Sequence, residues 1–265
     1  MEAVGRFAAL ATLPEQSIDL AEAALLIGAA GDPGTPGDPG VDVSRRLAQL
    51  DGYAARLAGL DALRHRLFAE LGFRGDTRNY YDPENSFLHR VIARRLGIPI
   101  TLSVLAIEVG RRADIALEAV GMPGHFLVGV PAGGIWLDAF GGGELIDLAG
   151  CEARFRESTG SGPEVAFGSH LLPVVGPHAV LSRMLANLAV VYEFRHSGID
   201  LEWVTRMRLA LPNAGTREVL ALASAMELQG RFLEAARELE DRAVAEPHEE
   251  QELRTAAQRL RARFN

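Results

Sequence analysis

Cysteine, aromatic residues, long apolar runs and excess positive charge are all scarce in this 265-residue chain. The single cysteine, Cys151, excludes an internal disulfide framework and a four-cysteine zinc site. No apolar run approaches the roughly 20 residues of a membrane-spanning helix, so no membrane partner is expected. The first residues, MEAVGRFAAL, lack the basic start and apolar stretch of a secretion signal, which predicts a cytoplasmic protein.

The remaining composition favours a helical globular protein. Hydrophobic residues make up 48% of the chain but aromatic residues only 6%, so the core is expected to consist mainly of Leu, Ala and Val. The net charge of −8 argues against a nucleic-acid partner, because such a surface needs concentrated positive charge. Carboxylates accompany most arginine clusters, which is typical of solvated helix faces.

Apolar periodicity predicts helices through the first 113 residues. A helix over 17–28 is capped by Ser17 or Asp19, and the Gly- and Pro-rich stretch 31–40 is predicted to be a loop. Further helices are predicted at 41–58, at 60–71 with a C-cap at Gly72, and at 86–96 with Asn85 or Ser86 as its cap.

The segment 100–113 is predicted to be the central buried helix. It carries Leu102, Leu105, Ala106 and Val109 at core spacing and is almost wholly apolar before Glu108. Pro99 suits its first turn, where the missing N–H has no partner to lose.

Beyond this helix the period changes to that of β-strands. The segments LEAVG, HFLVGV and GIWLDAF are short and rich in β-forming residues, and PAGG (131–134) predicts a tight turn between the last two. A symmetric turn pairs Val130 with Ile135 and Leu127 with Asp138, which puts His125 diagonal to Asp138 on the same face. A slip of one residue would put the two side chains on opposite faces.

A histidine next to a carboxylate is the arrangement of general acid–base catalysis. The carboxylate fixes the tautomer of the imidazole and leaves the other ring nitrogen free for proton transfer. His125 could instead be structural, and Asp138 could be a turn residue ahead of three glycines. Because apolar residues flank Asp138, its carboxylate is expected to have a partner.

The nucleophile of such a site is harder to find in the sequence. Thr101 and Ser103 lie in the first turn of the central helix, where N–H groups favour a developing anion, but hydroxyls there are commonly caps. Cys151 follows the aspartate and reads as an ordinary residue at a helix start. The histidines show no metal-binding spacing, so neither a metal nor another cofactor is expected.

From Leu181 onward the pattern is again helical, in five segments separated by polar or Gly/Pro breaks. The stretch 230–247 has Gly, Phe, Ala, Leu and Pro at positions resembling the second helix of a tetratricopeptide repeat. The stretch 196–212 resembles the same helix less closely, with a shorter spacing. A plain α-helical bundle is the alternative.

Several motifs in order resemble the bacterial SirB-type family of transglutaminase-like proteins. They are LGFRGDTRNYYDPENSFLHRV (71–91), RRLGIPITLSVLAIEVGRR (94–112), MPGHFLVGV (122–130), WLDAFGGGELID (136–147) and LSRMLANL (181–188). The resemblance implies an α+β fold: a transglutaminase-like (papain-like) domain over 1–175, mostly helical with a small antiparallel sheet, then an α-helical tetratricopeptide-like domain over 176–265.

The same resemblance implies roles for individual residues. His125 and Asp138 correspond to the His and Asp of the transglutaminase-type triad. The resemblance also implies that the cysteine of that triad is generally missing in this family, its place falling near 99–101. The usual Asp-Pro-Phe is Asp-Ala-Phe here, at 138–140.

Two functions remain open from the sequence. The first is a non-catalytic or degenerate transglutaminase-like module that acts in protein or peptide binding or in regulation. The second is a hydrolase or acyltransferase that uses the His125–Asp138 pair with Thr101, Ser103 or an activated water as nucleophile. Binding residues are predicted within the matching motifs, at Tyr81, Asn85, Phe126 and Trp136.

Overall fold

A computed structural model describes residues 2–32, 41–131, 133–212, 214–245 and 250–264. Most of the predicted loop at 31–40, and Ala132 of the predicted turn, lie outside the described residues. The chain forms two compact units, Glu15–Met184 and a second made of Met1–Pro14 with Leu185–Asn265. The predicted boundary between 175 and 176 lies shortly before this division.

Helices dominate both units. They are α1 (Glu2–Ala11), α2 (Leu20–Gly31), α3 (Val43–Ala54), α4 (Gly59–Arg64), α5 (Leu88–Arg94), α6 (Pro99–Arg112), α7 (Leu148–Thr159), α8 (Pro177–Phe194), α9 (Gly198–Leu209), α10 (Thr216–Leu228), α11 (Phe232–Ala245) and α12 (Glu250–Phe264). A π-helical turn (His65–Glu70) continues α4, and 3-10 turns lie at Glu15–Ser17, Pro83–Ser86 and Ser169–Leu171. Within the described part of the chain, no helix is long and apolar enough to cross a membrane.

The strands are short and belong to the larger unit. They are β1 (Arg74–Gly75), β2 (Leu96–Gly97), β3 (Glu118–Val120), β4 (Leu127–Val130), β5 (Ile135–Asp138) and β6 (Glu144–Ile146). β1 and β2 form a parallel pair, and the other four form an antiparallel sheet in chain order. The predicted α+β class is confirmed.

Helix α6 lies at the centre of the larger unit. Its predicted core positions, Leu102, Leu105, Ala106 and Val109, are all fully buried. The helix begins at Pro99, as predicted, because the fixed φ of proline suits a first turn. Helices α2, α3 and α5 and strand β4 contact it, so the core of this unit is built around α6.

The start and end of helix α5 differ from the prediction. Asp82 accepts the backbone N–H of Glu84 and begins a 3-10 turn, and α5 starts only at Leu88, after Phe87, which gives no side-chain cap. Asn85 and Ser86 are therefore not its caps. The helix ends at Arg94 rather than near Gly97, because Arg95 adopts a left-handed φ of 64° and the next two residues pair with β1 as strand β2.

The predicted N-cap of α2 and the predicted glycine at the end of the helix before residue 72 are both confirmed. Asp19 is the N-cap of α2 and accepts the backbone N–H of Glu22 at 2.9 Å. Gly72 follows the π-helical turn with a left-handed φ of 72°, which suits the predicted glycine at a helix end.

The smaller unit is helical throughout its described residues. Small and medium apolar side chains form its core, where α10, α11 and α12 meet; the buried members include Leu222, Ala223, Ala235, Ala236, Leu239 and Leu253. The helical segments predicted after residue 195 match α9 to α12 to within a few residues. The first 14 residues, which carry helix α1, also belong to this unit.

Candidate active site

Antiparallel pairing of β4 with β5 brings His125 and Asp138 together. Val130 pairs with Ile135, as predicted, which puts Asp138 at the end of β5 beside the residues that enter β4. Nε2 of His125 lies 3.0 Å from Oδ1 of Asp138. The predicted His–Asp contact is confirmed.

The carboxylate of Asp138 is fully buried and well bonded. Besides the imidazole, Oδ1 accepts the backbone N–H groups of Phe140 and Gly141, both at 3.1 Å. Burial raises the pKa of Asp138, but the bond and charge of His125, the bond from Arg154 and the N–H of Gly141 outweigh it, so the pKa falls to about 2. Asp138 is therefore ionised at neutral pH.

Sequence reasoning missed Arg154, the second side chain that bonds this carboxylate. Its Nε donates to Oδ2 of Asp138 at 2.7 Å, and its Nη2 donates to Glu144 at 2.9 Å. Arg154 lies on α7, 16 positions after Asp138, where no local spacing rule links the two. The sequence indicated only that Asp138 needs a partner, because a carboxylate flanked by apolar residues needs cationic or N–H groups to bond it.

Arg183, which the sequence analysis also did not identify, binds the backbone of His125. Its Nη2 donates to the carbonyl of His125 at 2.7 Å, and its guanidinium lies 5.3 Å from the ring centroid of Phe126. Burial lowers the pKa of Arg183, while the nearby Tyr80 acts in the opposite direction. The side chain thus holds the histidine from the side of α8.

His125 and Asp138 open onto a cleft of about 600 Å³. The cleft is lined by Thr77, Tyr80, Tyr81, Pro99, Gly124, His125, Asp138, Phe140, Gly141, Arg154, Glu157 and Ser158. Pro99 is the residue by which the first turn of α6 reaches this cleft. The family resemblance places the position of the absent triad cysteine near 99–101, which includes Pro99.

The two hydroxyls predicted as nucleophiles are absent from this lining. Thr101 donates to the carbonyl of Asn85 at 2.6 Å and accepts the N–H of Ile98 at 3.3 Å. Ser103 is fully buried and lies 3.5 Å from the carbonyl of Phe126. Both hydroxyls face backbone groups in the core, so the structure does not bring them together with His125 in the cleft.

Of the four predicted binding residues, the structure brings only Tyr81 into the cleft, where it is 68% exposed. Asn85 is fully buried, and its Nδ2 donates to the carbonyl of Asn79 at 2.8 Å. Phe126 is buried, and Trp136 packs against the cluster of apolar residues between the sheet and α7. None of these three side chains lines the cleft.

Cys151 does not supply the missing thiol. It lies fully buried in α7, and burial, followed by the charges of Asp147 and Asp138, raises its pKa to about 12. A thiol with that pKa is protonated at neutral pH and is a poor nucleophile. Among the residues that the structure describes, no group of three or more His, Cys, Asp or Glu side chains could hold a metal ion.

A helix that begins beside a His–Asp pair, with the histidine just before strand β4 and the aspartate at the end of β5, is the arrangement of cysteine-type acyl-transfer folds, here with proline at the start of that helix. The sequence profile of the transglutaminase-like superfamily matches residues 41–186, more than half of the chain. The chain belongs to the transglutaminase-like superfamily.

The chain is similar to proteins of bacteria and of a mammal. The chain is 42% identical over 136 residues to a UPF0162 protein of Xylella fastidiosa, covering 49% of this chain and 48% of that protein. It is 33% identical over 141 residues to a UPF0162 protein of Pseudomonas aeruginosa, covering 53% and 51%. Mouse F-box only protein 21 is 34% identical over 151 residues, covering 53% of this chain and 22% of that protein.

The chain therefore spans about half the length of the bacterial relatives it matches. No solved structure matches it. The narrower resemblance to the SirB-type group stays a prediction.

Proposed function

We propose that this chain is a non-catalytic transglutaminase-like module that binds a peptide segment in the cleft beside His125. The observation that carries the proposal is Pro99, which has no nucleophilic atom and lines the cleft at the first turn of α6. The nearest alternatives in sequence, Thr101 and Ser103, face backbone carbonyls in the core. A His–Asp pair without a nucleophile in reach cannot form a covalent acyl intermediate.

The surroundings of Asp138 support the same proposal. In a catalytic triad the carboxylate serves to orient the histidine and to stabilise the imidazolium that forms. Here its two oxygens accept from four donors, of which only one is the imidazole and another is the guanidinium of Arg154. Part of the negative charge is thus neutralised by Arg154, which suits a structural anchor for the cleft.

The experiment measures binding and turnover on the same full-length protein. We expect short peptides to bind, while neither peptide hydrolysis nor transfer of a primary amine to a peptide amide depends on His125. The matched variants are His125→Ala and His125→Gln, since glutamine can keep a hydrogen bond to Asp138 but cannot act as a base at neutral pH. Turnover that is present in the wild-type protein and lost in both variants would show that the module is catalytic.

A second candidate is a hydrolase that activates water. The observation in its favour is the intact pair itself: Nε2 of His125 faces Asp138, which leaves Nδ1 as the ring nitrogen for proton transfer. The cleft of about 600 Å³ has room for water molecules. In this case, hydrolysis would be lost in His125→Ala and Asp138→Asn but kept in Thr101→Val and Ser103→Ala, whereas a hydroxyl nucleophile would make one of the latter two inactive.

We further infer that α9 to α12 are degenerate tetratricopeptide-like hairpins that take part in binding a protein partner. Gly230 adopts a φ of 74° in the turn between α10 and α11, and the small buried residues Ala223, Ala235 and Ala236 allow close helix packing. A chain with a single cysteine cannot form an internal disulfide, which is consistent with a protein that works in the reducing cytoplasm. Loss of partner binding on removal of these helices, with peptide binding in the cleft retained, is the expected result.

A further inference from the structure

One wall of the cleft is a continuous row of aromatic rings. Tyr81 contacts Tyr80 with ring centroids 5.3 Å apart and planes at 75°. Tyr80 contacts Phe140 at 6.0 Å and 69°, and Phe140 contacts His125 at 6.0 Å and 86°. These are edge-to-face contacts, the favoured geometry of aromatic pairs. The row leads from an exposed tyrosine at the mouth of the cleft to the buried imidazole.

The row is held in place from behind. A Cβ on Gly75 would lie 2.5 Å from the ring of Phe140, so the ring fits directly against this glycine, whose N–H also donates to the Phe140 carbonyl at 3.1 Å. The loop that carries the tyrosines is fixed by buried Asn85, which bonds the carbonyl of Asn79 at 2.8 Å. Aromatic side chains held in this way lose little entropy when a ligand covers them.

A second part of the cleft lining is polar. Arg154, Glu157 and Ser158 lie at positions i, i+3 and i+4 of α7, which share one face of a helix, and all three line the cleft. The Ser158 hydroxyl donates to the Phe155 carbonyl at 3.2 Å, so its oxygen is left as an acceptor beside the carboxylate of Glu157, and both can accept the N–H groups of a peptide backbone. Glu157 and Glu144, both largely exposed beside Arg154, disfavour an acidic ligand at this wall.

We propose that the cleft selects a peptide with an aromatic side chain and no acidic residue beside it, and that Tyr81 determines this specificity. The inference depends on the proposed peptide-binding function. The aromatic side chain extends the row of rings at Tyr81 and Tyr80, and the peptide backbone bonds the polar face of α7. Tyr81 is 68% exposed in the free protein, so a stacked side chain of the ligand would cover apolar surface that now faces water.

The test uses the full-length protein, labelled with ¹⁵N, and the blocked tripeptides acetyl-Gly-Phe-Gly-amide, acetyl-Gly-Ala-Gly-amide and acetyl-Gly-Glu-Gly-amide. Maltose serves as a carbohydrate probe, since sugars also bind aromatic platforms. Dissociation constants come from the amide shifts of Gly124 and Gly141, which both line the cleft. We expect the Phe peptide to bind tightest and the Glu peptide weakest, with no shifts from maltose.

The variants are Tyr81→Ala, Tyr81→Phe and, as a control at another highly exposed aromatic residue, Phe194→Ala. Tyr81→Ala should weaken the Phe peptide by roughly 2- to 12-fold, the range of one aromatic pair, and leave the Ala peptide unchanged. Tyr81→Phe and Phe194→Ala should stay close to the wild-type protein. Because Tyr81 is exposed, an unchanged spectrum of the free variant verifies its fold.

The outcomes separate this inference from the proposed function. Equal affinity for the Phe and Ala peptides, or an equal effect of Tyr81→Ala on both, overturns the aromatic specificity and leaves peptide binding intact. Shifts with maltose alone overturn the peptide as ligand. If none of the tripeptides causes shifts at millimolar concentration, the proposed peptide-binding function fails, and this inference fails with it.

Discussion

Replacing Arg154 by methionine removes one cationic partner from Asp138 while keeping an apolar stem of similar length. The lost bond is short, 2.7 Å from Nε to Oδ2, and the carboxylate that loses it is fully buried. Such a charged hydrogen bond contributes about 1.5–3 kcal/mol to the free energy of unfolding. The loss stays below the roughly 3–5 kcal/mol expected for a charge left without any partner, because the imidazole and two N–H groups still bond it.

The same change alters how stability depends on pH. The pKa of Asp138 is about 2 in the folded protein against an ordinary value of 3.8. A lowered pKa stabilises the fold above the ordinary value, and this stabilisation, about 2 kcal/mol, is lost as the pH falls from roughly 4 to 2. Without Arg154 the pKa of Asp138 rises, so the contribution at neutral pH is smaller and its loss begins at a higher pH.

Urea unfolding at neutral and acidic pH measures both effects. The chain has two tryptophans, so a Trp203→Phe background makes Trp136, on the same strand as Asp138, the only tryptophan reporter. The control is Arg66→Met, which breaks an exposed i,i+4 pair with Glu70 and should cost below about 0.5 kcal/mol. A titration of the Asp138 carboxyl carbon by NMR reports its pKa directly. Equal costs for the two variants, together with an unchanged pKa of Asp138, would refute the role assigned to Arg154.

Three further predictions concern single side chains. Gly75→Ala places a Cβ 2.5 Å from the Phe140 ring and should lower the free energy of unfolding in urea by about 1–3 kcal/mol. The control Gly52→Ala, in open space on α3, should raise that free energy by about 0.5–1 kcal/mol. Equal effects of the two variants would contradict the close contact at Gly75. Cys151, with a pKa of about 12, should react with Ellman's reagent only after urea is added, and rapid labelling of the native protein would disprove its burial. Thr101→Val removes a 2.6 Å bond to a backbone carbonyl and should lower the unfolding free energy by about 1–3 kcal/mol; a neutral effect would argue against its structural role.

Local rules predicted the elements that position the candidate site. The apolar spacing of α6 and the turn chemistry between β4 and β5 depend on residues close together in the chain, so the sequence alone was sufficient for the register of Val130 with Ile135. The contact of His125 with Asp138 followed from that register. The helix caps at Asn85 and Ser86 were predicted wrongly, because a 3-10 turn begun at Asp82 competes with the start of α5.

The partners of the pair could not be predicted in this way. Arg154 reaches Asp138 across 16 positions, and Arg183 reaches His125 across 58. Which cation satisfies a buried carboxylate depends on how helices dock on the sheet, and no periodicity in the chain records that choice. The placement of Thr101 and Ser103 is a similar case, since their spacing fits a catalytic hydroxyl and a structural one equally well.

The sequence by itself determined the α+β class, the buried helix α6 and the pairing of the hairpin, because helix and strand periods and turn residues act within a few positions. Tertiary structure alone decided that Pro99 faces the cleft, that Arg154 shares the charge of Asp138 and that the rings from Tyr81 to His125 form one wall. The physical reason is that burial and charge compensation are properties of the packed chain, in which residues far apart in sequence become neighbours.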